Sequence, residues 1–93
     1  MKFIWDETKD LANRKKHKIS FPQAVYAFSD PLKKEYYDER HSSLEEDRMM
    51  VIGFAINVVL IINFTEPDSE TIRIISARRA KKHEMEKLYY GNS

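Results

Sequence analysis

The chain has 93 residues, 42% hydrophobic and 33% charged, which suits one small domain spanning residues 1–93 and leaves no room for a nucleotide-binding fold with a separate substrate domain or for a β/α barrel. With 16 Lys+Arg against 15 Asp+Glu the formal net charge is +1, so bulk charge does not mark a nucleic-acid binder. The absence of cysteine excludes a disulfide framework and a thiolate zinc site.

The opening MKFIWDETKD lacks the apolar core of a signal peptide, and the longest apolar run, Val58–Ile62, falls far below the ~20 residues that span a bilayer, so the expected compartment is the cytoplasm. Met1–Trp5 reads as a short edge strand or a lid. Asp6 stands where an N-cap belongs, ahead of a first helix over residues 7–17 that ends in Arg14-Lys15-Lys16-His17-Lys18, cations that complement the helix dipole. Ser20 and Gln23 have capping-box spacing, and Phe21, Ala24, Val25 and Phe28 recur with helical period until Asp30-Pro31 ends the second helix. Glu35–Arg40 suits a polar edge strand and His41–Glu46 a charged loop. Arg48–Ala55 and Val58–Thr65 read as two strands joined by a tight turn at Ile56-Asn57. After the turn cluster Glu66–Glu70, Thr71–Ala77 is a fourth strand with imperfect alternation. Ser76 then caps a final helix that reaches Tyr90 and stops at Gly91. The expected fold is α+β: an antiparallel meander of about four strands, with two N-terminal helices and one C-terminal helix all on one face. Val58–Ile62 is its central strand, and the other face is left as an open, shallow groove.

Two basic clusters stand apart from the acids, Arg14–Lys18 and Arg78–His83, each with one histidine. They suit a phosphate-binding rim, although two solvated helix faces would look the same. His17 and His83 are acid/base candidates because imidazole titrates near neutrality. The spacing of His17, His41 and His83 fits no metal motif, and there is no glycine-rich phosphate loop or activated-serine motif, so neither metal nor cofactor is expected. Arg48 opens one strand and Arg73 lies within another; on an open sheet face they would clamp a phosphate, or else pair with the acids of Glu35–Glu39.

Three groups of residues together resemble a known family. Trp5-Asp6, Lys9, Asn13, Lys16-His17, Ile19, Phe21, Ala24 and Phe28-x-Asp30 are similar to the start of BrnT toxins. Arg48 and Gly53 fit the middle of that family, and Arg73–Arg78, Ala80, Glu84 and Tyr89 fit its end. One departure is Lys18, where the family often has a glycine suited to a left-handed helix stop. The resemblance implies a type II toxin with a RelE-like fold, acting as a ribonuclease and neutralised by a BrnA-type antitoxin that carries the operator-DNA-binding part, in a complex of two toxins and two antitoxins. On that reading the chain is a metal-independent endoribonuclease whose nucleophile is the RNA 2′-OH. Arg48, Arg73 and Arg78 would stabilise charge, and His17, His83 and Glu84 would transfer protons. Lys9, Lys16, Arg79, Lys82 and Tyr89 would contact RNA. The competing reading is a non-catalytic module that binds nucleic acid or protein through the same groove.

Overall fold

The computed structural model describes residues 1–91. In chain order they form β1 (Lys2–Ile4), α1 (Glu7–His17), α2 (Phe21–Val25) with a 3-10 turn after it (Tyr26–Ser29), β2 (Lys34–Tyr37), β3 (Met49–Ala55), β4 (Val58–Asp68), β5 (Thr71–Arg79), α3 (Lys82–Glu84) and a π-helical segment (Met85–Tyr90). The strands make one sheet in the order β1-β5-β4-β3-β2. The meander β2–β5 is antiparallel throughout. The opening segment adds a fifth strand, parallel to β5 through Lys2–Thr71, Phe3–Ile72 and Ile4–Arg73. The sheet is therefore mixed, and β4 lies at its centre, with Leu60, Ile61 and Ile62 no more than 1% exposed.

Local chemistry explains the helix ends. Asp6 accepts from the Thr8 N–H at 2.7 Å, and Ser20 accepts from the Gln23 N–H at 3.2 Å. Lys18 ends α1 with φ 62, the left-handed turn that a glycine would adopt more easily, and its N–H returns to the Arg14 carbonyl at 3.0 Å.

The sheet is buried on both faces, which corrects the expectation of helices on one face only. On the first face Ile19, Phe21, Ala24 and Ala27 pack against Val51, Leu60, Ile62, Phe64, Ile74 and Ala77. On the second, the C-terminal helical residues Met85, Leu88 and Tyr89 cover Ile52, Val59 and Ile61. A central strand with continuous apolar residues demands this double cover. The C-terminal boundary is also corrected. Ser76 caps no helix, because β5 runs on to Arg79, paired with Leu60, and the helix starts at Lys82. Ala77 is fully buried in the first-face core, so cross-strand pairing with Ile62 outweighs the helix signal in the sequence. The imperfect alternation of β5 has a structural cause. Asn63 faces Ser76 while Phe64 faces Ile74, so Ile75 is an extra residue, a β-bulge.

Three polar side chains staple these layers. Asn13, buried in α1, donates to the Ile19 and Ala77 carbonyls at 2.8 Å each and accepts from the Ala77 N–H at 3.1 Å, pairing with an edge that β1 does not reach. Asp10 accepts from the Phe21 N–H at 2.8 Å. Asp30 accepts from the Leu32 and Phe54 N–H groups at 2.8 and 2.7 Å and from the Tyr89 hydroxyl at 2.5 Å. At Gly53 a Cβ would stand 2.7 Å from the Ala27 carbonyl oxygen, so the absent side chain lets the 3-10 turn lie on β3.

Candidate functional site

The C-terminal helix covers only part of the second face. Beyond it a cavity of about 480 Å³ opens between the sheet residues Met50, Asn63 and Arg78 and the segment Tyr37–His41. A line of hydrogen bonds crosses its floor. Ser76 Oγ donates to Asn63 Oδ1 at 3.3 Å, and Asn63 Nδ2 donates to Asp38 Oδ2 at 3.1 Å. The same Asp38 oxygen meets His41 Nδ1 at 2.8 Å. At the rim a second cavity, about 510 Å³, is lined by Lys16, His17, Arg78, Arg79 and Lys81. The two basic clusters of the sequence thus meet, because α1 lies along β5 and Arg79 Nη1 donates to the His17 carbonyl at 3.2 Å.

Arg78 lines both cavities. Its guanidinium holds Glu84 in a two-pronged pair, Nη1–Oε1 and Nη2–Oε2 at 2.8 Å each. Glu84 Oε1 also accepts from the Lys81 N–H at 2.8 Å, which fixes the start of α3. Arg78 depresses the Glu84 carboxyl to about 2, with burial opposing and the Lys81 N–H assisting, so Glu84 is an anion throughout the neutral range. The hydrogen bonds that Arg78 donates to Glu84 raise the guanidinium pKa in return. His17 is shifted the other way. Partial burial, then the charges of Lys16 and Arg78, lower its pKa and favour the neutral imidazole.

The remaining expected site residues are spread more widely. Arg48 Nε lies 3.2 Å from Glu46 Oε1 and Arg73 Nη1 lies 3.9 Å from Glu46 Oε2, so both share an acid of the loop rather than one from Glu35–Glu39. Arg73 is separated from Arg78 by about 15 Å of strand at the usual rise per residue, so the two do not converge on one phosphate. Lys9 is exposed beside Trp5 and Arg73 on one side and Lys16 and His17 on the other. Lys82 and His83 are exposed on the first turn of α3. Tyr89 is 8% exposed, and burial with the Asp30 bond raises its hydroxyl to about 12, so its ring braces the helix and does not face the groove. Sequence reasoning missed Asp38, His41, Asn63 and Ser76. Asn63 alone left a signal, as the polar interruption in the apolar run Val58–Phe64. Among the described residues no three His, Asp or Glu side chains gather as metal ligands.

Comparison with known proteins adds the class. A family model described as "Ribonuclease toxin, BrnT, of type II toxin-antitoxin system" matches residues 5–84. The chain belongs to the BrnT family. Its fold is similar to the crystal structure of the Brucella abortus ribonuclease toxin BrnT, with a TM-score of 0.67 and 27% identity over 88% of this chain and 99% of that one. The comparison with curated proteins returns no match. BrnT-family membership makes the chain a ribonuclease toxin by class, with an antitoxin as its counterpart, and the match contains both cavities.

Proposed function

We propose that this BrnT-family chain is a metal-independent endoribonuclease that cleaves cytoplasmic RNA at Arg78 and so inhibits translation. The single observation that carries the reading is the rim cavity, where a largely neutral imidazole, His17, stands among Lys16, Arg78, Arg79 and Lys81. His17 takes the proton of the RNA 2′-OH, and the oxygen attacks the adjacent phosphorus. Arg78, held in orientation by Glu84, meets the negative charge that develops on the phosphorane. Glu84 is already ionised and bound twice, so it positions Arg78 and donates no proton. Lys16, Arg79, Lys9 and Lys82 bind flanking phosphates, and Arg48 and Arg73 anchor the strand further along the sheet, one or more nucleotides away. His83 is exposed next to Glu84 on the first turn of α3, outside the rim cavity, and takes no part in the step.

The antitoxin follows from the same electrostatics. An acidic segment of a BrnA-like protein covers the rim, so carboxylates and phosphates compete for the same cations, and two copies of each protein assemble through an antitoxin that also holds operator DNA. The test is cleavage of a short RNA by the purified chain in EDTA. His17→Ala and Arg78→Ala should each lower the rate by roughly 10²-fold or more with the fold intact. RNA bound without turnover would favour the non-catalytic reading, and unchanged cleavage by both variants would remove them from the mechanism.

A further inference from the structure

We infer that His41 is a second catalytic imidazole, which protonates the leaving 5′-oxygen, and that Asp38 is its positioning residue. The inference rests on the ribonuclease reading above and supplies what that reading lacks. Cleavage by the 2′-OH needs a proton donor for the departing alkoxide, on the side of the phosphorus opposite the base. The rim cavity has none suited to neutral pH: Glu84 is held ionised, and the other groups beside His17 are lysines and arginines. His83 lines neither cavity.

His41 lines the other cavity, which shares Arg78 with the rim cavity of His17. A phosphate held on Arg78 therefore borders both the cavity that carries His17 and the cavity that carries His41. The ring is built in rather than adventitious. Asp38, whose side chain is only 15% exposed, holds Nδ1 at 2.8 Å, which leaves Nε2 for the substrate on a ring that is 66% exposed. Asp38 is itself fixed by Asn63, and Asn63 by Ser76, so three elements support one imidazole. Ser42 closes the loop that carries it, donating to the Asp38 carbonyl at 2.7 Å and accepting from the Arg48 N–H at 2.8 Å. The charged groups facing His41 are Asp38, Glu39, Arg40 and Arg78.

The step balances. The O2′–H proton passes to His17, the O2′–P bond forms, the P–O5′ bond breaks, and the Nε2 proton of His41 passes to O5′. The products are a 2′,3′-cyclic phosphate and a 5′-hydroxyl, and proton exchange with water resets both rings.

The experiment compares two RNAs, one with the natural 5′-oxygen and one with bridging sulfur at that position, a leaving group that needs no proton. On the natural RNA His41→Ala should lose roughly 10²-fold in rate, while on the sulfur RNA it should stay within about tenfold of the unmodified chain. His17→Ala should lose on both. Asp38→Asn should show the His41 pattern at smaller size. Equal losses on both substrates, or no loss on either, would overturn the role of His41 alone. Failure of the unmodified chain to cleave either RNA would overturn the ribonuclease reading, and this inference with it. Circular dichroism of each variant separates these outcomes from misfolding, to which an exposed ring contributes little.

Discussion

Replacing Asn13 by Leu tests how the site is attached to the fold. Leu has a similar volume and is apolar, so the change empties no space but removes three hydrogen bonds. The groups left behind are the Ala77 N–H and carbonyl and the Ile19 carbonyl, in residues that are 0% and 1% exposed. Water cannot reach them without opening the seam between α1 and β5. Each buried, unpartnered backbone group costs about 1–3 kcal/mol, and partial relaxation brings the sum to roughly 3–5 kcal/mol. That is a large share of the ~5–15 kcal/mol that holds an ordinary domain together. Asn13→Asp should cost at least as much at neutral pH, since it sets a carboxylate against two carbonyl oxygens. Urea denaturation followed by circular dichroism measures both, with the slope unchanged if only stability moves. Ala77 immediately precedes Arg78, so RNA cleavage should fall as well, even at temperatures where the variant is folded. A loss under about 1 kcal/mol in Asn13→Leu would refute the reasoning, because it would mean the edge of β5 satisfies itself without the amide.

Two further predictions concern stability. Thr65 Oγ1 is buried with no hydrogen-bond partner, so Thr65→Val should raise the melting temperature by about 4–8 °C, the equivalent of ~1 kcal/mol; a drop would show that the hydroxyl has a use. Glu84 falls from 4.5 to about 2 on folding, so its pair with Arg78 stabilises the protein fully above 4.5 and is lost as pH falls toward 2. The urea midpoint should therefore decline across that window, and Glu84→Gln should flatten the decline; an unchanged profile would deny the pair its role.

The parts of the fold that announced themselves were local. Asp6 and Ser20 accept the N–H groups their positions implied, and the Ile56-Asn57 turn joins β3 to β4 as its length requires. What escaped was decided at long range. The opening segment was legible as an edge strand or a lid but not its parallel partner, β5, and Ala77–Arg79 stays extended only because Leu60–Ile62 lies opposite. The site divides in the same way. His17 and Arg78 were legible from charge clustering, whereas Asp38, His41 and Asn63 share no motif and meet through strand register and a loop closed by Ser42. Asn13 and Asp30, prominent in the family pattern, hold backbone together and stand outside both cavities that meet at Arg78. A recurring polar residue in a toxin this small can be a rivet.

The bulge at Ile75 carries a consequence for the arithmetic of β5. Successive strand residues point to opposite faces, so residues an odd number of positions apart diverge in an unbroken strand. Arg73 and Arg78 are such a pair, as are Ile74 and Ala77. If all these residues lay in an unbulged strand, parity would force a choice. Keeping Ile72 and Ile74 inward would turn Arg78 into the space now filled by Ala77, against Ile62 and Phe64, while keeping Arg78 outward would leave Ile72 and Ile74 in water. One inserted residue reverses the count midway and lets a single strand serve core and groove at both ends. Deleting Ile75 would leave Ile74 and Ala77 two positions apart and Arg73 and Arg78 four, so an unbulged strand could still serve both faces. Straightening β5 with Ile75 still in place is what would set its two halves against each other, and either the folded core or the phosphate site would then have to yield.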